Sequence, residues 1–178
     1  MTAFAGRTGW VVPVTVATSS DTQLRKALGL LNELVDELVN STYTYTFLIR
    51  EATFTSVDGA SQGYLSDLAP AGYKSMMPGT FFDRSQNLEI KGPISSAEWQ
   101  RRQSMGISGT CYEFREWLGQ IWLSPDAEAG SSMAFEYRSK YAIMDEVTDA
   151  PDVIYKNWFT LDTDTSMIPE DLLLKSLS

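Results

Sequence analysis

The sequence predicts an α+β fold: an antiparallel β-sandwich-like body with a long N-terminal helix, a short inserted helix and a C-terminal helical element. Three observations point there. One apolar stripe of helical period lies between residues 20 and 40, capping signatures stand at Ser20 and Ser95, and period-2 runs of β-branched and aromatic residues recur between 41 and 144.

Residues 1–19 are rich in Gly, Thr and Val, include Pro13 and lack helical period, which predicts an extended N-terminal arm whose apolar content suggests that it lies on something. Ser20 or Asp21 caps the next element, with Gln23 at capping-box spacing from Ser20; Leu24, Leu28, Leu31, Leu34, Val35 and Leu38 form one stripe, and the helix ends near Asn40. A β-rich body is expected over 41–144. Its first strand starts from Tyr43, where Thr44 to Ile49 are mostly β-branched or aromatic, and a second covers Ala52 to Val57. Asp58 to Gly63 has turn chemistry, and Tyr64 to Pro78 reads as a packed loop. Short strands follow at Thr80 to Asp83 and Asn87 to Ile90.

Pro93 introduces a second capping box, Ser95 with Glu98, opening an inserted helix over 95–104 with Trp99 on its inner face. Strands are expected at Thr110 to Trp117, Gln120 to Leu123 and Ser131 to Tyr141, where Met133, Phe135 and Tyr137 alternate with Glu136, Arg138 and Lys140; Pro125 to Gly130 is the hairpin loop between the last two. Residues 145–178 are an acidic connector and a C-terminal helical element. In the latter, Pro169 takes the first helical position, Glu170 and Asp171 suit the positive end of the dipole, and Leu172, Leu173 and Leu174 follow. A helix that short is marginal in water, so these leucines need the body or another chain to pack on.

Composition narrows the function. With 178 residues, 43% hydrophobic and 21% charged, the chain has the make-up of a globular domain with a real core. Its 14 basic and 23 acidic residues give a net charge of -9, against the clustered Lys and Arg that phosphate contacts need. Eight of the acids lie between Asp145 and Ser178 with only Lys156 and Lys175 beside them. The plain interpretation is a solvated flank; the sharper one is an acidic surface facing something it must not stick to.

The chain has no histidine, which excludes Ser-His-Asp and Cys-His catalysis and histidine-containing zinc sites, and Cys111 stands alone, which excludes an intrachain disulfide or a thiolate cage. No phosphate-binding Gly-rich loop is present. No apolar run reaches the roughly 18 residues of a membrane span. Met1 to Ala17 lacks a clear cleavage site, so a cytoplasm, or a particle assembled there, is expected.

The acid pairs Asp162 with Asp164 and Glu113 with Glu116 have the composition of a glycosidase dyad, but such pairs occur in almost every soluble chain. Asp162-Thr163-Asp164 also suits a hard cation such as calcium, against the plainer expectation of an Asx-type turn. We therefore expect no catalytic residue, no cofactor and no metal. The main alternative function is a carbohydrate-binding module: five tryptophans and eight tyrosines are enough for a sugar platform, and Trp122 faces outward if Ile121 and Leu123 face inward.

The order of motifs adds a further expectation. Leu-Asn-Glu-Leu at 31–34, the Arg50 to Val57 strand, Leu-Ala-Pro-Ala-Gly-Tyr at 68–73, and Gly92-Pro93-Ile94-Ser95 leading into Glu98-Trp99-Gln100 form a collinear series. It continues with Gln-Ile-Trp-Leu-Ser-Pro at 120–125, Ala129-Gly130, Phe-Glu-Tyr-Arg-Ser at 135–139, and Asp-Thr-Asp-Thr at 162–165 before Ile168-Pro169-Glu170. Over roughly residues 21 to 178 this series resembles the head-to-tail adaptor, or tail accessory factor, family of short-tailed bacteriophages.

The resemblance implies a virion protein of the head-tail junction, assembled in the host cytoplasm as a ring, usually of twelve copies, that docks under the portal protein. It extends the DNA channel and is a platform for the tail nozzle or other tail proteins; DNA passes without specific binding, and no membrane is involved. A helical part lies along the channel and a β-sandwich-like part on the periphery, with helix one and the 1–19 arm expected to contribute to contacts between copies. Ile168, Leu172, Leu173 and Leu174 are the implied portal contacts. Asp145, Glu146, Asp149 and Asp152 are the implied channel-facing acids, whose field repels phosphate over about 8 Å at physiological salt. Family members often have a longer N-terminal helical region and continue past the position of Leu177.

Overall fold

A helix begins where a carboxylate can take up its free amides. Asp21, rather than Ser20, caps α1 (Thr22–Asn40) by accepting from the Gln23 amide at 2.8 Å. In the computed structural model, residues 20–106, 112–144, 154–161 and 163–172 are described, and they form mixed helix and antiparallel sheet, the α+β class. They fall into two compact units, one made of 49–139 and the other of the chain up to Leu48 together with the chain from Lys140 onward. No helix among the described residues is long and apolar enough to cross a membrane.

The stripe of α1 is buried at Leu31, Val35, Leu38 and Val39 and half-buried at Leu24 and Leu28. The strand expected from Tyr43 is not one. Residues 41–45 are irregular, Thr46–Leu48 make one 3-10 turn in which the Leu48 amide donates to the Tyr45 carbonyl at 3.0 Å, and Tyr45 stacks on Phe47 at 5.1 Å. Leu48 is enclosed in the core of its unit, so packing overrides the β propensity of the segment.

The 49–139 unit runs β1 (Ile49–Thr55), β2 (Gly59–Tyr64), α2 (Leu65–Leu68), β3 (Tyr73–Met76), β4 (Phe82–Asp83), β5 (Leu88–Glu89), α3 (Ser96–Met105), β6 (Glu113–Trp117), β7 (Gln120–Ala127) and β8 (Ser132–Ser139). One sheet has the order β1-β8-β4-β5, with β3 also on β8; the other is β2-β7-β6. Two segments thus differ from expectation. The predicted turn at 58–63 is largely β2, whose turn-like residues are accommodated by register shifts and by the Gln62 side chain bonding Val57 and Gly59. The predicted loop at 64–78 contains α2 and β3.

β8 has partners along both edges, so Ala134, Arg138 and Ser139 are buried along with Met133, Phe135 and Tyr137, and the simple in-out alternation read from the sequence does not hold. Aromatic rings from both sheets meet: Phe81 lies 5.6 Å from Phe135 of β8 and 5.1 Å from Phe114 of β6, both edge-on. β7 passes through Pro125 into the expected loop. Pro125 lies beyond the last β6 partner, at Ser124, and inside a register shift against β2, where the ladder needs no amide from it. Along the outer edge of β6, the Phe114 amide donates to the Lys91 carbonyl (2.9 Å) and the Ile94 amide to the Phe114 carbonyl (2.8 Å). Gly92, at φ 154°, lets that strand-like segment approach, since a Cβ there would overlap the Phe114 carbonyl and ring.

In the other unit β9 (Ile143–Met144) pairs on both sides, with β10 (Tyr155–Lys156) and β11 (Thr165–Ser166). Its core is Val35, Leu38 and Val39 of α1 with Leu48, Ala142, Ile143 and Ile168, flanked by Leu34, Phe159 and Leu172.

Candidate functional site

The best-formed site is a row of rings around one guanidinium on the outer face of β2-β7-β6. β6 and β7 join through Leu118 and Gly119, at φ 51° and 73°, the two left-handed positions of a tight hairpin loop. That loop fixes the register, with Trp117 opposite Gln120, Arg115 opposite Trp122 and Glu113 opposite Ser124. Directly opposed residues share a face, so Arg115, Trp117, Gln120 and Trp122 stand together. β2 adds Tyr64 beside Gln120 and Ser61 beside Trp122, and the Ser61 hydroxyl donates to Gln120 Oε1 at 2.9 Å.

Over this face α3 lays Trp99. The helix starts as the capping box predicts, with the Ser95 hydroxyl accepting from the Glu98 amide at 3.2 Å, and it buries Trp99 as its one fully enclosed side chain. Trp99 and Trp117 each stand edge-on to Trp122, at 6.5 and 5.4 Å. The Arg115 guanidinium lies 4.1 Å from the ring centre of Trp99, 4.7 Å from Trp117 and 5.9 Å from Trp122. Each ring face presents negative quadrupole to the cation.

Arg115 makes no ion pair among the described residues, its Nε has no hydrogen-bond partner, and burial draws its pKa below the ordinary value. The other charged residue that β6 places on this face, Glu113, is taken by Arg102 of α3 at 2.5 Å. Glu116 points to the opposite face and accepts from the Tyr73 hydroxyl at 2.6 Å; burial and that bond push the Tyr73 hydroxyl well above its ordinary range. Around Arg115 the rim is open and apolar, with Trp117 46% exposed, Tyr64 54% and Leu118 74%. A half-buried cation among rings, bordered by exposed Trp, Tyr and Leu, is binding chemistry of the kind that dominates protein interfaces.

Of the residues singled out in sequence, Trp122 faces away from the buried Ile121 and Leu123 as expected, but it is half-buried under Trp99, Trp117 and Arg115. The rings are inclined to one another by 65° and 87°, which is not the flat platform a sugar ring stacks on. Glu113 and Glu116, three apart on a strand, point to opposite faces and cannot act as one acid pair.

Asp164 is a closed structural group. Its Oδ2 accepts from the Thr160 amide (2.6 Å), the Leu161 amide (2.8 Å) and the Thr160 hydroxyl (3.1 Å), and its Oδ1 accepts from Lys156 Nζ (2.9 Å). Burial alone would raise its pKa; the bonds from Thr160, Leu161 and Lys156 outweigh it and hold the carboxyl down at about 2. Donors occupy the oxygens a cation would need, and no group of three or more potential ligands gathers among the described residues. Asp162, the other carboxylate of the expected calcium pair, lies outside the described residues.

Ile168 is 3% exposed in the core of its unit and has no surface to give another chain, which removes it from the portal contacts named above; Leu172 packs against the same core. Leu173, Leu174, Asp145, Glu146, Asp149, Asp152, Cys111 and the 1–19 arm lie outside the described residues. A cleft of about 460 Å³ on the other sheet is lined by Glu51, Thr80, Phe82, Asp83, Arg84 and Glu136. There Arg84 pairs with Glu51 at 2.8 Å, and Asp83 Oδ1 accepts from the Ser85 and Gln86 amides, closing the turn after β4.

Arg115 was missed in sequence. The signal was present: Trp117-Leu118-Gly119-Gln120 is a two-residue hairpin, and pairing outward from it sets Arg115 against Trp122. Compared with known proteins, the chain matches no family model and no curated protein.

Proposed function

We propose that this chain is a structural virion protein, an adaptor of the head-to-tail connector of short-tailed bacteriophages. About twelve copies form a ring under the portal, extend the DNA channel and give tail proteins their attachment platform. The supporting observation is the division of the chain into a helix-led unit and a separate unit of two antiparallel sheets, the β-sandwich-like body of such an adaptor. The motif series from Leu31 to Glu170 runs in the adaptor order, and the site around Arg115 has the chemistry of a protein contact rather than of a reaction. Portal contact falls to Leu172, Leu173 and Leu174. The acids Asp145, Glu146, Asp149 and Asp152 belong to the channel wall, where negative charge keeps phosphate moving.

The test is to mix the purified chain with portal rings of short-tailed phages and image them by negative stain. The expected result is an added ring of density on one end of the portal, with no retardation of duplex DNA by the chain alone. A chain that decorates no portal ring at any concentration tried is not an adaptor.

A further inference from the structure

An assembly closed around a rotation axis needs two different patches on each copy that fit one another. The β unit carries such a pair at the two ends of one strand. At the β6-β7 tip stand Arg115, Trp117, Leu118 and Tyr64, a cation with an apolar rim. At the far end of β7, where Gly59 pairs with Ala127, Val57 is 49% exposed, and Asp58, Asp126 and Glu128, next to that pair in sequence, are exposed acids. That end is firmly built: the Ala129 amide donates to Asp58 Oδ1 at 2.8 Å, the Ser56 hydroxyl to the Glu128 carbonyl at 2.6 Å, and the Gly130 amide to the Ser56 carbonyl at 3.0 Å.

We infer that the tip of one copy docks on the acidic end of β7 in a second copy, with Arg115 against Asp126 and Glu128 and Trp117 and Leu118 against Val57. The inference builds on the adaptor proposal, in which copies must touch. Arg115 stands opposite Trp122, four residues or roughly 13 Å along β7 from Asp126, and the hairpin tip at Gln120 lies seven residues or roughly 23 Å from Ala127, so the two patches meet only between chains. The occupant is a second copy because charge selects it. A chain of net charge -9 repels itself, so a stable contact between copies must set its cation against its acids. A tip-to-tip arrangement would face two Arg115 guanidiniums, and an end-to-end one would face two sets of three carboxylates. The head-to-tail pairing gives Arg115 the carboxylate it does not find among the described residues of its own chain, in the fork geometry a guanidinium favours.

The experiment places a photo-cross-linking benzophenone amino acid at position 118 of the full chain and maps the products by mass spectrometry, with and without portal rings. Cross-links from position 118 to the peptides carrying Val57, Asp126 and Glu128 of another copy are expected. Arg115→Glu should lower their yield about tenfold, and mixing it with Asp126→Arg/Glu128→Arg chains should restore it. Cross-links only to the tip of the other copy, cross-links only elsewhere, no intermolecular product, or a yield unmoved by Arg115→Glu each overturn the contact. Imaging the same samples on portal rings separates the two proposals. Arg115→Glu chains that still build complete rings under a portal reject this contact and leave the adaptor reading intact. Predicted cross-links in a chain that decorates no portal do the reverse.

Discussion

Arg115 and Asp164 are charged side chains withdrawn from water in different units, and they are treated in opposite ways. Asp164 is enclosed, its side chain 0% exposed, and meets three donors from Thr160 and Leu161 and a fourth from Lys156. Arg115 meets three indoles and, among the described residues, no ion-pair partner. A buried charge with its hydrogen bonds complete is part of the fold, while one left with ring faces alone retains capacity for a further partner. The difference marks the first as structural and is the ground on which the second is proposed as a contact.

Removing the Asp164 carboxylate tests the structural half most severely. Asp164→Ala takes the acceptor from the Thr160 and Leu161 amides and the carboxylate from Lys156, and should cost roughly 2–4 kcal/mol in urea unfolding; a loss below about 1 kcal/mol would show the network to be incidental. Trp122→Ala comes next, at roughly 2 kcal/mol, because the ring is half-buried between Trp99 and Trp117. It should also raise the exposure of Trp99, read as a red shift of fluorescence, and an unshifted spectrum would mean that Trp99 does not depend on it.

The pH dependence sharpens the contrast. The folded pKa of Asp164, about 2, is below its ordinary 3.8, so its contribution is complete above about 3.8 and is lost as pH falls toward and through 2. The wild-type urea midpoint should therefore drop more steeply than that of Asp164→Asn between pH 4 and 2; parallel curves would contradict the assignment. The smallest expected effect on stability belongs to Arg115→Met, within about 1 kcal/mol of wild type, because an apolar chain of similar length fills the same space between the rings. Its cross-linking from position 118 should nonetheless fall severalfold, and a large stability loss with unchanged cross-linking would reverse the comparison.

Capping chemistry made both longer helices legible. Asp21 and Ser95 hold free amides locally, with no information needed from distant residues. Strand existence was also readable where aromatic alternation was strong, as at Met133 to Tyr137. What failed depends on partners far along the chain. Tyr43 to Leu48 has strand composition yet turns, because Leu48 is drawn into a core with Ile143 and Ile168. Gly59 to Tyr64 has turn composition yet pairs, because β7 supplies a ladder tolerant of register shifts. The site was half legible: its tryptophans stood out, whereas the role of Arg115 emerges only when the hairpin register is worked through.

The helix-led unit is assembled from the two flanks of the sequence, with all of 49–139 threaded between them. On a ribosome, α1 leaves the exit tunnel long before Ala142, Ile143 and Ile168 exist, so Val35 and Leu38 must wait, solvated, while the intervening sheets are made. The inserted body starts and ends on neighbouring strands, with Ile49 opposite Arg138, and can close on its own during that interval. Translation order therefore makes the β unit the earlier-born half and the helix-led half dependent on residues synthesised after it.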